Sequence, residues 1–109
     1  MNGRHRALTS LLRKMSKRGF YETLKFICER GSAHYSEILN HDLKERVVES
    51  RATVTLIVRE LVKLGLIERQ VLDSRPIRTV YKPTERGRRL LQHLQDIEGL
   101  LSTPFSSLG

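Results

Sequence analysis

The chain has 109 residues, 39% hydrophobic and 29% charged, which suits one folded domain with a single modest core and excludes a disordered or fibrous chain. No apolar run approaches the ~18 residues of a membrane span, no segment reads as a signal peptide, and one cysteine leaves no internal disulfide, so the cytoplasm is the expected compartment. Net charge is +8 and concentrated: residues 1–18 carry six basic groups and no acid, residues 44–89 carry twelve basic against six acidic, and such clustering is the electrostatic footprint expected for a polyanion.

Residues 1–18 place Ala7, Leu8, Leu11, Leu12 and Met15 at helical spacing, with Arg6, Arg13, Lys14 and Lys17 around them. This amphipathic helix with a basic side suits a dimer interface, packing on its own domain, or an arm contacting DNA. Phe20 to Arg30 repeats the pattern, with Phe20, Leu24, Ile27 and Cys28 inward and Gly31 as the stop. Cys28 shares the buried face, so it reads as a small core hydrophobe; no ligand partner beside it suggests redox or metal chemistry. Ser32 to Tyr35 is a short extended piece. Ser36-Glu37-Ile38-Leu39 then starts a helix, with a hydroxyl cap and an acid in the first turn. Asn40 to Glu49 is too charged to assign, although Val47-Val48 is expected to seat the turn before Ser50.

Ser50 to Gly65 is the most informative stretch. Ser50 is an N-cap, Gly65 suits a left-handed C-cap, and Val54, Ile57, Val58, Leu61 and Leu64 form one apolar face. The opposite side carries Ala52, Thr55, Leu56, Arg59 and Lys63. A basic, hydroxyl-bearing outer face suits DNA reading and suits an ordinary surface helix equally. Leu66 to Leu72 reads as a strand, Asp73-Ser74-Arg75-Pro76 as a turn, and Ile77 to Lys82 as a second, alternating strand. Arg75 lies near the hairpin tip, with Arg69, Arg78 and Lys82 along its strands. Thr84-Glu85 caps a last helix whose stripe is Leu90, Leu91, Leu94, Ile97, Leu100 and Leu101. Residues 102–109 read as a flexible tail. The expected organisation is a basic N-terminal helix (1–18), a central domain (19–87), a C-terminal helix (84–101) and that tail.

Three stretches resemble a winged helix-turn-helix. His34-Tyr35-Ser36-Glu37-Ile38-Leu39 is similar to the aromatic-Ser-Glu-x-Leu entry to the first helix of the turn motif. Leu61-Val62-Lys63-Leu64-Gly65-Leu66-Ile67-Glu68-Arg69 is similar to the exit from a recognition helix into the wing. Tyr81-Lys82-Pro83-Thr84-Glu85-Arg86-Gly87 is similar to the Y-x-L-T-x-x-G exit into the last helix, with Pro83 in place of Leu. Together they cover about residues 20–95 and resemble prokaryotic and archaeal regulators of the HxlR-like, MarR-like and PadR-like kind; the wing fits the HxlR-like pattern best. The resemblance implies a mainly α fold with a small β-hairpin (α+β), flanked by N- and C-terminal helices.

It also implies a sequence-specific regulator bound to double-stranded DNA. A recognition helix over residues 50–64 would enter the major groove and read bases mostly from its N-terminal half. That nominates Ser50, Arg51, Thr53, Thr55 and Leu56, with Arg59 and Lys63 lower on the same side. Leu56 would either meet a thymine methyl or pack on a neighbouring helix. Arg69, Arg75, Arg78 and Lys82 would serve the wing, Arg75 entering a minor groove. Arg86, Arg88 and Arg89 stand in the last helix's first turns, where the helix dipole disfavours cations, which argues that they extend the positive surface. The stripe from Leu90 to Leu101, with Leu8, Leu11, Leu12 and Met15, exceeds what one small domain needs, so a homodimer on a pseudo-palindrome is expected.

Catalysis is not expected. The histidines His5, His34, His41 and His93 form no H-x-x-x-H, and there is no C-x-x-C or Gly-rich phosphate loop, so no metal or cofactor is implied. Two other readings compete: a protein that coats DNA without sequence preference, and a winged helix used for protein contacts. The latter expects a neutral or acidic outer face, unlike that carrying Arg51, Arg59 and Lys63. No effector is indicated.

Overall fold

The computed structural model describes residues 3–102; the tail expected over residues 102–109 lies outside them apart from Ser102, the last residue of the final helix. The elements run α1 (Gly3–Met15), α2 (Phe20–Arg30), β1 (Ala33–His34), α3 (Tyr35–Lys44), α4 (Arg51–Lys63), β2 (Ile67–Leu72), β3 (Arg78–Pro83) and α5 (Glu85–Ser102). The apolar spacing of α2, α3 and α4 faces a common centre. Phe20, Leu24 and Ile27 of α2, Ile38 of α3 and Val54, Ile57, Val58 and Leu61 of α4 are buried there with Leu66 and Ile67. No helix among the described residues is long and apolar enough to cross a membrane.

The sheet has three strands in the order β1-β3-β2, all antiparallel, rather than a two-stranded hairpin alone. The short extended piece supplies the third: Ala33 pairs with Tyr81 and His34 with Val80. It covers an edge of β3 that would otherwise present unpaired backbone groups.

The helix after it begins two residues earlier than its hydroxyl suggested. Its N-cap is His34, not Ser36, and the His34 N–H donates to Glu37 Oε1 at 2.9 Å. The charged stretch 40–49 resolves into the rest of α3 and a tight turn, organised by Asp42. This carboxylate is fully buried; Oδ2 accepts the Thr23 hydroxyl at 2.6 Å, and Oδ1 lies 3.0 Å from His41 Nδ1. Its backbone carbonyl accepts the N–H groups of Val47 and Val48, at 2.9 and 3.2 Å. An unpartnered carboxylate there would carry a large desolvation cost; bound in this way, it ties the turn to α2.

Ser50 caps α4, its hydroxyl oxygen accepting from the Thr53 N–H at 3.2 Å. At the other end Gly65, with φ +73°, lets the Leu66 N–H reach Leu61 O at 3.0 Å and its own N–H reach Val62 O at 2.9 Å, which closes the helix. The chain passes directly into β2.

Candidate nucleic-acid interface

The outer face of α4 lies opposite its buried stripe, with Arg51, Ala52, Leu56, Arg59 and Lys63 exposed. Its hydroxyls are less available than the sequence implied. Thr53 Oγ1 and Ser50 Oγ lie 2.8 Å apart in the cap. Thr55 is half-buried; its hydroxyl donates to Arg51 O at 3.2 Å and lies 2.6 Å from the Tyr35 hydroxyl. Tyr35 thus joins the start of α3 to α4, a physical reason for an aromatic residue in the entry motif. Leu56 is 60% exposed, which removes its packing on a neighbouring helix as an explanation. In the first two turns, Arg51 and Leu56 are therefore the large side chains presented outward.

Behind that face, α4 and the sheet form a cleft of about 460 Å³. Tyr35, Val58 and Tyr81 contribute its wall, and Arg59, Lys63 and Arg69 also line it. Three cations from two elements therefore surround one concavity, and neither Arg59 nor Arg69 has an ion-pair partner among the described residues. The remaining wing cations do not join them. Register and strand alternation put Arg69 on the hairpin face of Ile67 and Tyr81, and Arg78 and Lys82 on the other face. Lys82 stands directly across from Glu68. Arg75 is exposed between the strands, next to Pro76.

The arginines at the start of α5 correct the expectation that they extend the positive surface together. Arg86 Nη1 donates to the carbonyl of Leu64, the last turn of α4, at 3.1 Å. Arg89 pairs with Glu85 at 3.0 Å. Arg88 lies near Cys28, whose thiol burial pushes up in pKa, with Arg88 opposing more weakly. Cys28 is buried, as a core residue would be, and no group of three or more His, Cys, Asp or Glu among the described residues could hold a metal ion.

The sequence shows Glu60 as the one acid between the cations of α4, and the structure supplies its partner. Glu60 Oε2 lies 2.8 Å from Lys14 Nζ, which ties α1 to α4 and lowers the Glu60 pKa, chiefly through the Lys14 contact. A lone Glu among basic residues signals a partner, but not which one.

The apolar set assigned to dimerisation divides. Leu91 is buried in the core of its own domain, and Leu11, Met15 and Leu90 pack partly against that core. Leu91 is therefore removed from any dimer surface: the first turns of α5 lie over α2, and the stripe leaves the body only further along. There Leu94 is half-buried, and Ile97, Leu100 and Leu101 are exposed, as are Leu8 and Leu12 on α1. Met15, Tyr21, Leu94, Ile97 and Leu101 line an apolar groove of about 340 Å³.

The model of the HxlR-like helix-turn-helix family matches residues 29–105. No curated protein sequence matches the chain. Among solved structures it is similar to the reduced form of the transcriptional regulator YodB from B. subtilis, at TM-score 0.75 and 22% identity, covering 100% of this chain and 98% of that one. A PadR-like transcription factor from Bacteroides fragilis superposes at TM-score 0.72 and 20% identity, covering 94% of this chain and 99% of that one. Streptococcus pneumoniae FabT in complex with DNA does so at TM-score 0.53 and 20% identity, covering 95% and 84%. At such identities the likeness is one of fold.

Proposed function

The chain belongs to the HxlR-like helix-turn-helix family of DNA-binding transcriptional regulators, and on that premise we propose that it acts as a homodimer on a pseudo-palindromic duplex. In this reading Arg51 and Leu56, supported by the Ser50 and Thr53 cap, read base edges in the major groove. Thr55 holds α4 against Tyr35 and contributes its methyl at most. Arg59, Lys63 and Arg69 hold phosphates along the cleft, while Arg75, Arg78 and Lys82 contact the adjacent minor groove and backbone. The protein would work in the cytoplasm.

One observation carries the reading: Arg59 and Arg69, without acid partners among the described residues, converge with Lys63 on the side of a helix whose capped N-terminus presents Arg51. Uncompensated cations around one concavity suit a phosphate backbone, whereas a protein-contact surface would bring acids or apolar residues to the same rim. The similar fold of FabT, whose structure is a complex with DNA, is in keeping with a DNA-binding role.

Selection on random duplexes tests it. The enriched site is expected to be two-fold symmetric, with half-sites about 34 Å apart. With about eight phosphate contacts per dimer, log affinity should fall with log salt at a slope near −7. A slope near zero would end the proposal, and an enriched site without symmetry would end its dimeric form.

A further inference from the structure

Three successive carbonyls, from the C-cap of α4 onward, are each taken by a donor from Thr84 or Arg86 at the N-terminus of α5. Arg86 Nη1–H donates to Leu64 O at 3.1 Å, the Thr84 hydroxyl to Gly65 O at 2.5 Å, and the Thr84 backbone N–H to Leu66 O at 3.0 Å. Thr84 serves both helices, because its hydroxyl oxygen also accepts from the Gly87 N–H at 3.1 Å and so caps α5. The fit is close: a Cβ on Gly65 would lie 3.2 Å from Arg86 Nη1, and one on Gly87 would lie 2.0 Å from Leu66 O.

The last carbonyls of a helix have no intrahelical partner and carry the negative end of its dipole. A guanidinium placed there is favourable both as donor and as charge. Arg86 is unfavourably placed for the dipole of its own helix and favourably placed for that of α4. Arg89 pairs with Glu85, and the Arg86 side chain lies back across Gly65.

We infer that Arg86 is a positioning residue for DNA reading: it locks the C-terminus of α4 to α5, so that the helix offered to the groove and the helix leading to the exposed apolar stripe turn as one body. The inference rests on the proposed DNA-reading role of α4. It also separates Arg86 from the other cations of its basic block, since its Nη1 is committed to Leu64 rather than to a phosphate.

The test uses the full chain, Arg86→Gln and Arg86→Lys, with Arg59→Gln as a phosphate-contact control. Affinity is measured against salt on a duplex selected by the wild type and on an unrelated duplex, and amide hydrogen exchange is followed at Gly65 and Leu66. Arg86→Gln should weaken the selected duplex about fivefold, with faster exchange at both amides, and leave the salt slope and unrelated-duplex affinity unchanged. Arg86→Lys should recover most of that loss, and Arg59→Gln should lower the slope by about 1 per contact without moving the exchange. Parallel loss on both duplexes with a reduced slope would make Arg86 a phosphate ligand and overturn the inference, as would unchanged affinity for the selected duplex. If the wild type selects no duplex, the DNA reading fails by itself, and unchanged exchange in Arg86→Gln then overturns the lock separately.

Discussion

Gly87 and Gly99 sit on the same helix and have opposite reasons to be glycine. A Cβ on Gly87 would stand 2.0 Å from Leu66 O, a backbone atom held by the Thr84 N–H, so the strand exit and the helix entry could approach only over a residue without a side chain. A Cβ on Gly99 would meet nothing within 4 Å. Gly87→Ala should therefore destabilise by about 1–3 kcal/mol, overpacking outweighing the gain in helix propensity. Gly99→Ala should stabilise by up to about 1 kcal/mol on propensity alone. Urea denaturation of both variants checks this; changes of the same sign would refute the steric account. In sequence, Thr84-Glu85-Arg86-Gly87 was legible as a motif, but its partners Leu64, Gly65 and Leu66 were not. A glycine shows that space or dihedral freedom is needed, never which atom takes the space.

At the scale of elements, the helices and strands followed from apolar spacing and caps, and the departures are changes of partner rather than of element type. The start of α3 is the clearest. Its sequence offered Ser36 as a cap, yet the Glu37 carboxylate reaches back to the His34 N–H and also pairs with Arg30 of α2. The backbone hydrogen bond from His34 is the main cause of a lowered Glu37 pKa, with the Arg30 charge adding to it. A carboxylate pKa depressed in the folded state contributes stability above its ordinary value, about 4.3, and that contribution is lost as pH falls through the depressed value. The Tm of the wild type should accordingly exceed that of Glu37→Gln above about pH 5, and the difference should shrink as pH is lowered below the ordinary carboxylate range. A difference that stays constant down to about pH 2 would show that shape, not charge, holds the junction. Glu60 follows the same sign through Lys14, on the tie between α1 and α4.

The whole molecule measures 59 × 35 × 23 Å, long for its size, and among the described residues five of the ten exposed large hydrophobics lie on α1 and the far half of α5. Ile97, Leu100 and Leu101 are 52, 60 and 78% exposed, more than scattered surface residues explain. In the proposed dimer this surface meets its copy. Ile97→Glu with Leu101→Glu should convert a dimer to a monomer in sedimentation equilibrium at micromolar concentration. It should also weaken binding to the full pseudo-palindrome while leaving half-site affinity within about twofold. A double variant that remains dimeric would move the interface elsewhere.

The sequence by itself determined the helices, the wing, the buried face of α4 and the concentration of positive charge, because periodicity, caps and composition are local properties of the chain. It also carried the three motifs through which the family is recognised. Tertiary structure decided the partners: Asp42 with Thr23, Tyr35 with Thr55, Arg86 with Leu64, and Leu91 with its own core rather than a second chain. It also divided the wing cations between two faces and left Leu56 in the open. These are contacts between residues distant in sequence, and a periodic pattern shows that a face is buried or exposed without showing what lies against it.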